Sequence, residues 1–180
     1  MKNQNTKKLA YAALFLALCL VLPMLTGQIP QIGSMLLPMH IPVLLCGLVC
    51  GWQYGAAVGF VAPLLRSVLF GMPPMYPVAI AMAFELLTYG LVIGLVYRRM
   101  AQKGAAGVYA ALLTAMVAGR LVWGVAEVVL LGLGGKAFTA QAFLAGALLN
   151  AVPGIIVQLL LIPAVMAALQ KAGAVKEYAE

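Results

Sequence analysis

Apolar runs of 17 to 32 residues, separated by short basic or Gly/Pro-rich breaks, fill most of this 180-residue chain. Such runs have one natural setting, because about 20 apolar residues in a helix span the hydrocarbon core of a bilayer. Only 15 residues carry formal charge, 11 basic and 4 acidic, whereas a soluble domain carries about a quarter of its residues charged. The chain is therefore expected to be an all-α integral membrane protein, with residues 1–180 forming a single domain. Cys19, Cys46 and Cys50 all lie in apolar runs, which gives neither a disulfide framework nor a four-ligand zinc site.

The runs are Leu9 to Leu25, Met39 to Phe70, Met75 to Tyr97, Val108 to Leu133, and Phe138 to about Leu169. The second, at 32 residues, is too long for one untilted helix and short for two. Charge decides between the alternatives, because cytoplasmic loops collect Lys and Arg. As one helix it divides the loop cations four against five. Broken near Gly51-Trp52-Gln53-Tyr54-Gly55, it leaves eight on the cytoplasmic side and only Lys136 outside. The sequence thus predicts six transmembrane helices with both termini cytoplasmic and with helices two and three short. Short, Gly-interrupted spans are where transport proteins often place a binding site.

Four charges fall within spans: Arg66, Glu85, Arg120 and Glu127. Each would cost about 2.5 to 3.5 kcal/mol facing lipid at mid-membrane, so such groups face the bundle interior and partner something. They can pair with one another to hold the bundle, or they can be polar anchors in a cavity open to the outside. Their neighbours at helical spacing fit a cavity: Met82, Glu85 and Tyr89 share a face of helix four, and Arg120, Trp123 and Glu127 share one of helix five. Helix six offers Asn150, Gly154 and Gln158 in one stripe, with Pro153 expected inside the helix, where it frees a carbonyl. His40, the single histidine, stands at the outer mouth of helix two. A divalent-metal pathway is disfavoured, since there is one His and no Asp. The two serines, Ser34 and Ser67, lack a nucleophile-elbow setting, and no phosphate-cradling loop occurs, so no enzymatic constellation is present. Small residues repeat at four: Ala13 and Ala17 on helix one, Gly47, Gly51, Gly55 and Gly59 across helices two and three, Gly90 and Gly94 on helix four. They allow close helix approach, and the helix-one face can instead dock another subunit.

Taken in order, these features resemble the substrate-binding S component of an energy-coupling factor (ECF) vitamin transporter. The resemblance is carried by Lys-Lys-Leu-Ala-Tyr-Ala-Ala-Leu-Phe-Leu-Ala of helix one, by Leu37-Pro38-Met39-His40-Ile41-Pro42 leading into two Gly-rich helices, and by Gly71-Met72-Pro73-Pro74-Met75, Met82-Ala83-Phe84-Glu85-Leu86 and Tyr89-Gly90. It covers essentially the whole chain. It implies that the chain binds a small water-soluble vitamin or precursor near the extracellular side and topples against a membrane scaffold (T) subunit driven by two cytoplasmic ATPases, in the plasma membrane of a prokaryote. ATP would be used by those partners, with no cofactor in this chain. Ala13 and Ala17 would contact the scaffold, and the loop Gly27 to Pro38 would cover the ligand. The expected binding constellation is Glu85, Arg120, Trp123, Glu127 and Asn150, with Arg66, His40 and Tyr89 as second choices, and its formal charges sum to zero. Pantothenate is the nominal cargo, its carboxylate taken by an Arg; a pyridoxine-type vitamin or a deazapurine (queuosine) precursor is the alternative. The rival classes are a secondary carrier or channel, in which Glu85 or Glu127 would move protons, and a structural membrane protein whose charges are all ion pairs.

Overall fold

A computed structural model describes residues 2–25, 36–100, 104–135, 139–146 and 151–173. Among them the ordered elements are helical: α1 (Lys2–Leu25), α2 (His40–Cys50), α3 (Trp52–Phe70), a wide turn Met75–Ala79 running into α4 (Ile80–Met100), α5 (Ala105–Leu133), a short α6 (Ala140–Leu144) and α7 (Val152–Lys171). Five stretches are long and apolar enough to cross a bilayer, and the eleven-residue α2 is the sixth apolar helix. At 19 residues α3 is the shortest of the five. The cation bias assigns the cytoplasm to the face that carries Arg98 and Arg99 in the last turn of α4 and Lys171 in the last turn of α7.

The predicted break in the long second run falls at Gly51, whose φ of 98° is open to glycine and strained for other residues. Two further glycines then let the chain fold back on itself. A Cβ on Gly55 would lie 2.7 Å from the Gly47 Cα and 2.8 Å from the Gly90 carbonyl oxygen, so α2, α3 and α4 meet backbone to backbone there. The four-residue glycine repeat thus serves two ends: Gly51 turns the hairpin, while Gly47, Gly55 and Gly59 remove side chains from its contact with α4. α1 lays Ala12, Phe15 and Cys19 on this core. α4 is the central helix, burying Leu86, Tyr89, Ile93 and Tyr97. α5 packs along it through Ala111, Leu112, Ala115 and Met116, and α7 adds Ile162 and Met166.

The last predicted span is organised differently from expectation. It comprises α6 and α7 rather than one helix from Phe138 to Leu169, and Pro153 occupies the first turn of α7. At that position the ring's missing N–H has no intrahelical acceptor to lose, so Pro153 initiates the helix and frees no carbonyl. The proline inside α7 is Pro163.

Candidate functional site

α2 starts deep. Arg120 lies 13 residues before the end of α5 at Leu133, roughly 20 Å along the axis, and Glu85 stands in the second turn of α4. The first residue of α2, His40, reaches this same level, and its side chain is 1% exposed. Its mouth is therefore inside the bundle and not at the rim where the sequence suggested. Immediately before it Leu37 adopts φ 50°, left-handed backbone that is unfavourable for a branched residue. That bend, closed by the His40 N–H donating to the Leu37 carbonyl at 3.0 Å, turns the entering chain into the helix.

Three elements converge on one carboxylate. Glu85 Oε1 lies 3.0 Å from Arg120 Nη1 and 3.4 Å from His40 Nε2. Both are ion-pair distances without hydrogen-bond alignment. Tyr89, one turn below Glu85, presents itself edge-on to the His40 ring at 5.2 Å between centroids. It can lie there because Gly119 of α5 has no side chain: a Cβ would sit 2.7 Å from Tyr89 Cε2. On its other side the Arg120 guanidinium stands over the Trp123 ring at 5.9 Å, a cation–π distance. Trp123 in turn stacks on Phe143 of α6 at 6.1 Å, and Gly146 makes room for its indole.

Arg120 is only partly consumed by this pairing. Its Nε and Nη2 are buried and have no hydrogen-bond partner among the described residues, and the same holds for both ring nitrogens of His40 and for the side-chain nitrogen of Gln158. Nε and Nη2 form the parallel edge of the guanidinium, the fork that donates to both oxygens of a carboxylate. Glu127, two turns outward from Arg120 on α5, is 6% exposed and forms no ion pair among the described residues.

The structure thus brings together His40, Glu85, Tyr89, Arg120 and Trp123, with Glu127 buried farther along the same helix. It separates Arg66. That guanidinium is buried, donates to the Leu20 carbonyl of α1 and stands 5.3 Å over the Phe70 ring, so it ties α3 to α1. The expected zero charge sum included Arg66; without it, Glu85, Glu127 and Arg120 leave one net negative charge. Asn150 and most of the Gly27 to Pro38 loop lie outside the described residues. Gln158, noted only as part of a stripe, is a buried polar group that the sequence did not single out. Tyr97 of α4 accepts a hydrogen bond from Gln170 of α7 at 3.2 Å. Glu85 and Gln158 each stand twelve residues before those two partners on their helices. Its signal was residue type alone, an uncharged amide in an apolar helix.

On α1 the two faces are distinct. Ala12, Phe15 and Cys19 are buried, whereas Ala10, Ala13 and Ala17 are exposed, so the small-residue face is left unused by the chain's own packing. A groove lined by Leu121, Gly124, Val125, Val128, Val129, Thr139 and Phe143 opens between α5 and the segment at α6. It is apolar and bears no titratable group, which distinguishes it from the polar cluster.

Comparison with curated proteins and with solved structures returned no match. Residues 7–167 match the family model described as ECF transporter, substrate-specific component. That span takes in most of α1 through most of α7 and every member of the polar cluster, and the chain belongs to the family of substrate-specific components of ECF transporters.

Proposed function

We propose that this subunit captures a small water-soluble vitamin or precursor bearing a carboxylate, nominally pantothenate, at the level of the His40–Glu85–Arg120 cluster. The observation that carries this reading is the uncommitted Nε/Nη2 edge of Arg120, two buried parallel donors beside an aromatic ring. A buried donor pair without an acceptor is unfavourable, and a carboxylate satisfies both at once. Trp123 and Tyr89 supply flat apolar surface for the remainder of such a molecule. A second cargo class is favoured by one observation, the buried Glu127 without an ion pair: a nitrogen heterocycle, such as a pyridoxine-type vitamin or a deazapurine precursor, would offer it N–H groups.

Membership of the family supports a delivery route. The bound cargo is handed to a scaffold subunit powered by two ATPases in the plasma membrane of a prokaryote, and the exposed Ala13 and Ala17 face of α1 is the scaffold contact. The chain itself is a transport subunit that needs no cofactor. The test is a thermal-shift and native mass-spectrometric screen of the purified protein against a vitamin panel, paired with uptake in vesicles. A carboxylate vitamin should bind at sub-micromolar concentration, and accumulation should require the scaffold and ATPases. Accumulation by this chain alone would instead make it a secondary carrier.

A further inference from the structure

We propose that His40 is a proton-binding site coupled to the cargo site, so that the cluster takes up a carboxylate and a proton together. This rests on the reading that the cargo bears a carboxylate, and it adds a second, ionic ligand to that site.

The argument is one of charge and contact. With a neutral imidazole the cluster carries Arg120 against Glu85 and Glu127, a net charge of minus one, because Arg66 is committed to Leu20 and Phe70. A bound carboxylate raises this to minus two in a buried site, where unbalanced charge is strongly unfavourable. It also competes with Glu85 for Arg120, since one guanidinium then serves two carboxylates. His40 stands 3.4 Å from the same Glu85 oxygen and is the side-chain type that changes charge in the physiological range. Both of its ring nitrogens are buried without a hydrogen-bond partner among the described residues, so gaining a proton breaks no bond and supplies Glu85 with a new counter-ion. As the cargo draws on Arg120, the imidazolium takes over Glu85, and the net charge returns to minus one.

Among the described residues no better acceptor is in contact with Glu85. α4 presents Glu85 and Tyr89 to His40, and α5 presents Arg120. From α1 the neighbour is the Cys19 thiol, which donates to the Met39 carbonyl. The α3 guanidinium of Arg66 points to Leu20, and the buried face of α7 carries Gly154, Gln158, Ile162 and Met166, none of which titrates. Glu127 is the competing proton acceptor.

Isothermal titration of the full-length protein with pantothenate, in buffers of different ionisation heat, reads the proton count directly. The expected result is uptake of roughly one proton per pantothenate, with affinity rising as pH falls. The neutral alcohol panthenol should bind more weakly and without uptake. In His40→Gln the uptake and the pH slope disappear, and in Glu127→Gln the uptake persists whatever happens to affinity. Tight pantothenate binding with no uptake by the wild-type protein overturns the proposal and leaves the carboxylate reading standing, a measurement that does not depend on any variant folding. Uptake kept in His40→Gln and lost in Glu127→Gln overturns it in favour of the acidic residue. If neither pantothenate nor any other carboxylate vitamin binds, both readings fall.

Discussion

At the residue scale the proposed cargo site turns on Arg120, because one side chain has both a partner and an open edge. Nη1 faces Glu85 at 3.0 Å, while Nε and Nη2 stay buried and uncommitted. Lysine keeps the charge and can hold Glu85, but it has no parallel edge to offer a carboxylate. Arg120→Lys should therefore retain the fold and weaken carboxylate cargo roughly ten- to a hundredfold, the range expected for losing a charge-assisted hydrogen bond. Titration calorimetry beside a thermal melt separates the two effects. A melt lowered as much as the affinity would make Arg120 a bundle fastener and not a ligand group. Arg66 shows the contrast, since its donor is spent on the Leu20 carbonyl and its plane on Phe70.

At the scale of elements the α2–α3 hairpin governs where the site sits. Its eleven-residue α2 is too short to reach the outer rim, so its first residue, His40, meets Glu85 and Arg120 inside the bundle. The hairpin closes only because Gly47, Gly55 and Gly90 let three backbones meet. A side chain at Gly55 must push α3 away from both α2 and α4. Gly55→Val should lower stability by about 1 to 3 kcal/mol, the usual range for overpacking, and weaken cargo binding along with it, because the hairpin carries His40. A melting curve and a binding isotherm on the same preparation check this; unchanged values in both would mean the three helices separate at no cost.

At the scale of the whole molecule, a substrate-specific component must present one surface to its cargo and another to its transporter. The polar cluster is enclosed by α2, α4 and α5, whereas the Ala10, Ala13 and Ala17 face of α1 is exposed and unused by internal packing. Ala13→Trp should leave cargo affinity and melting temperature unaltered while abolishing co-purification with the ECF scaffold and ATPases. Retained co-purification would move the docking face elsewhere on the bundle.

How much of this was legible beforehand follows from which forces act locally. The apolar runs specify the spans by themselves, because transfer into lipid depends on composition and length. The cation bias specifies the Gly51 break, because loop charge is read one segment at a time. Spacing of three and four already joined Glu85 to Tyr89 and Arg120 to Trp123. Position within a helix was less legible: Pro153 stands in the first turn of α7, and periodicity inside a continuous apolar run does not mark where a helix begins. Which charges meet was not legible at all. Arg66 and Arg120 are the same residue in similar apolar sequence, and only the packing of α1 against α3 and of α4 against α5 sends one to a carbonyl and the other to Glu85. The sequence by itself determined a six-helix membrane protein with four charges inside its spans. The tertiary structure decided their pairing, since electrostatic partners in a bundle are chosen by distance across helices, which no spacing along one chain contains.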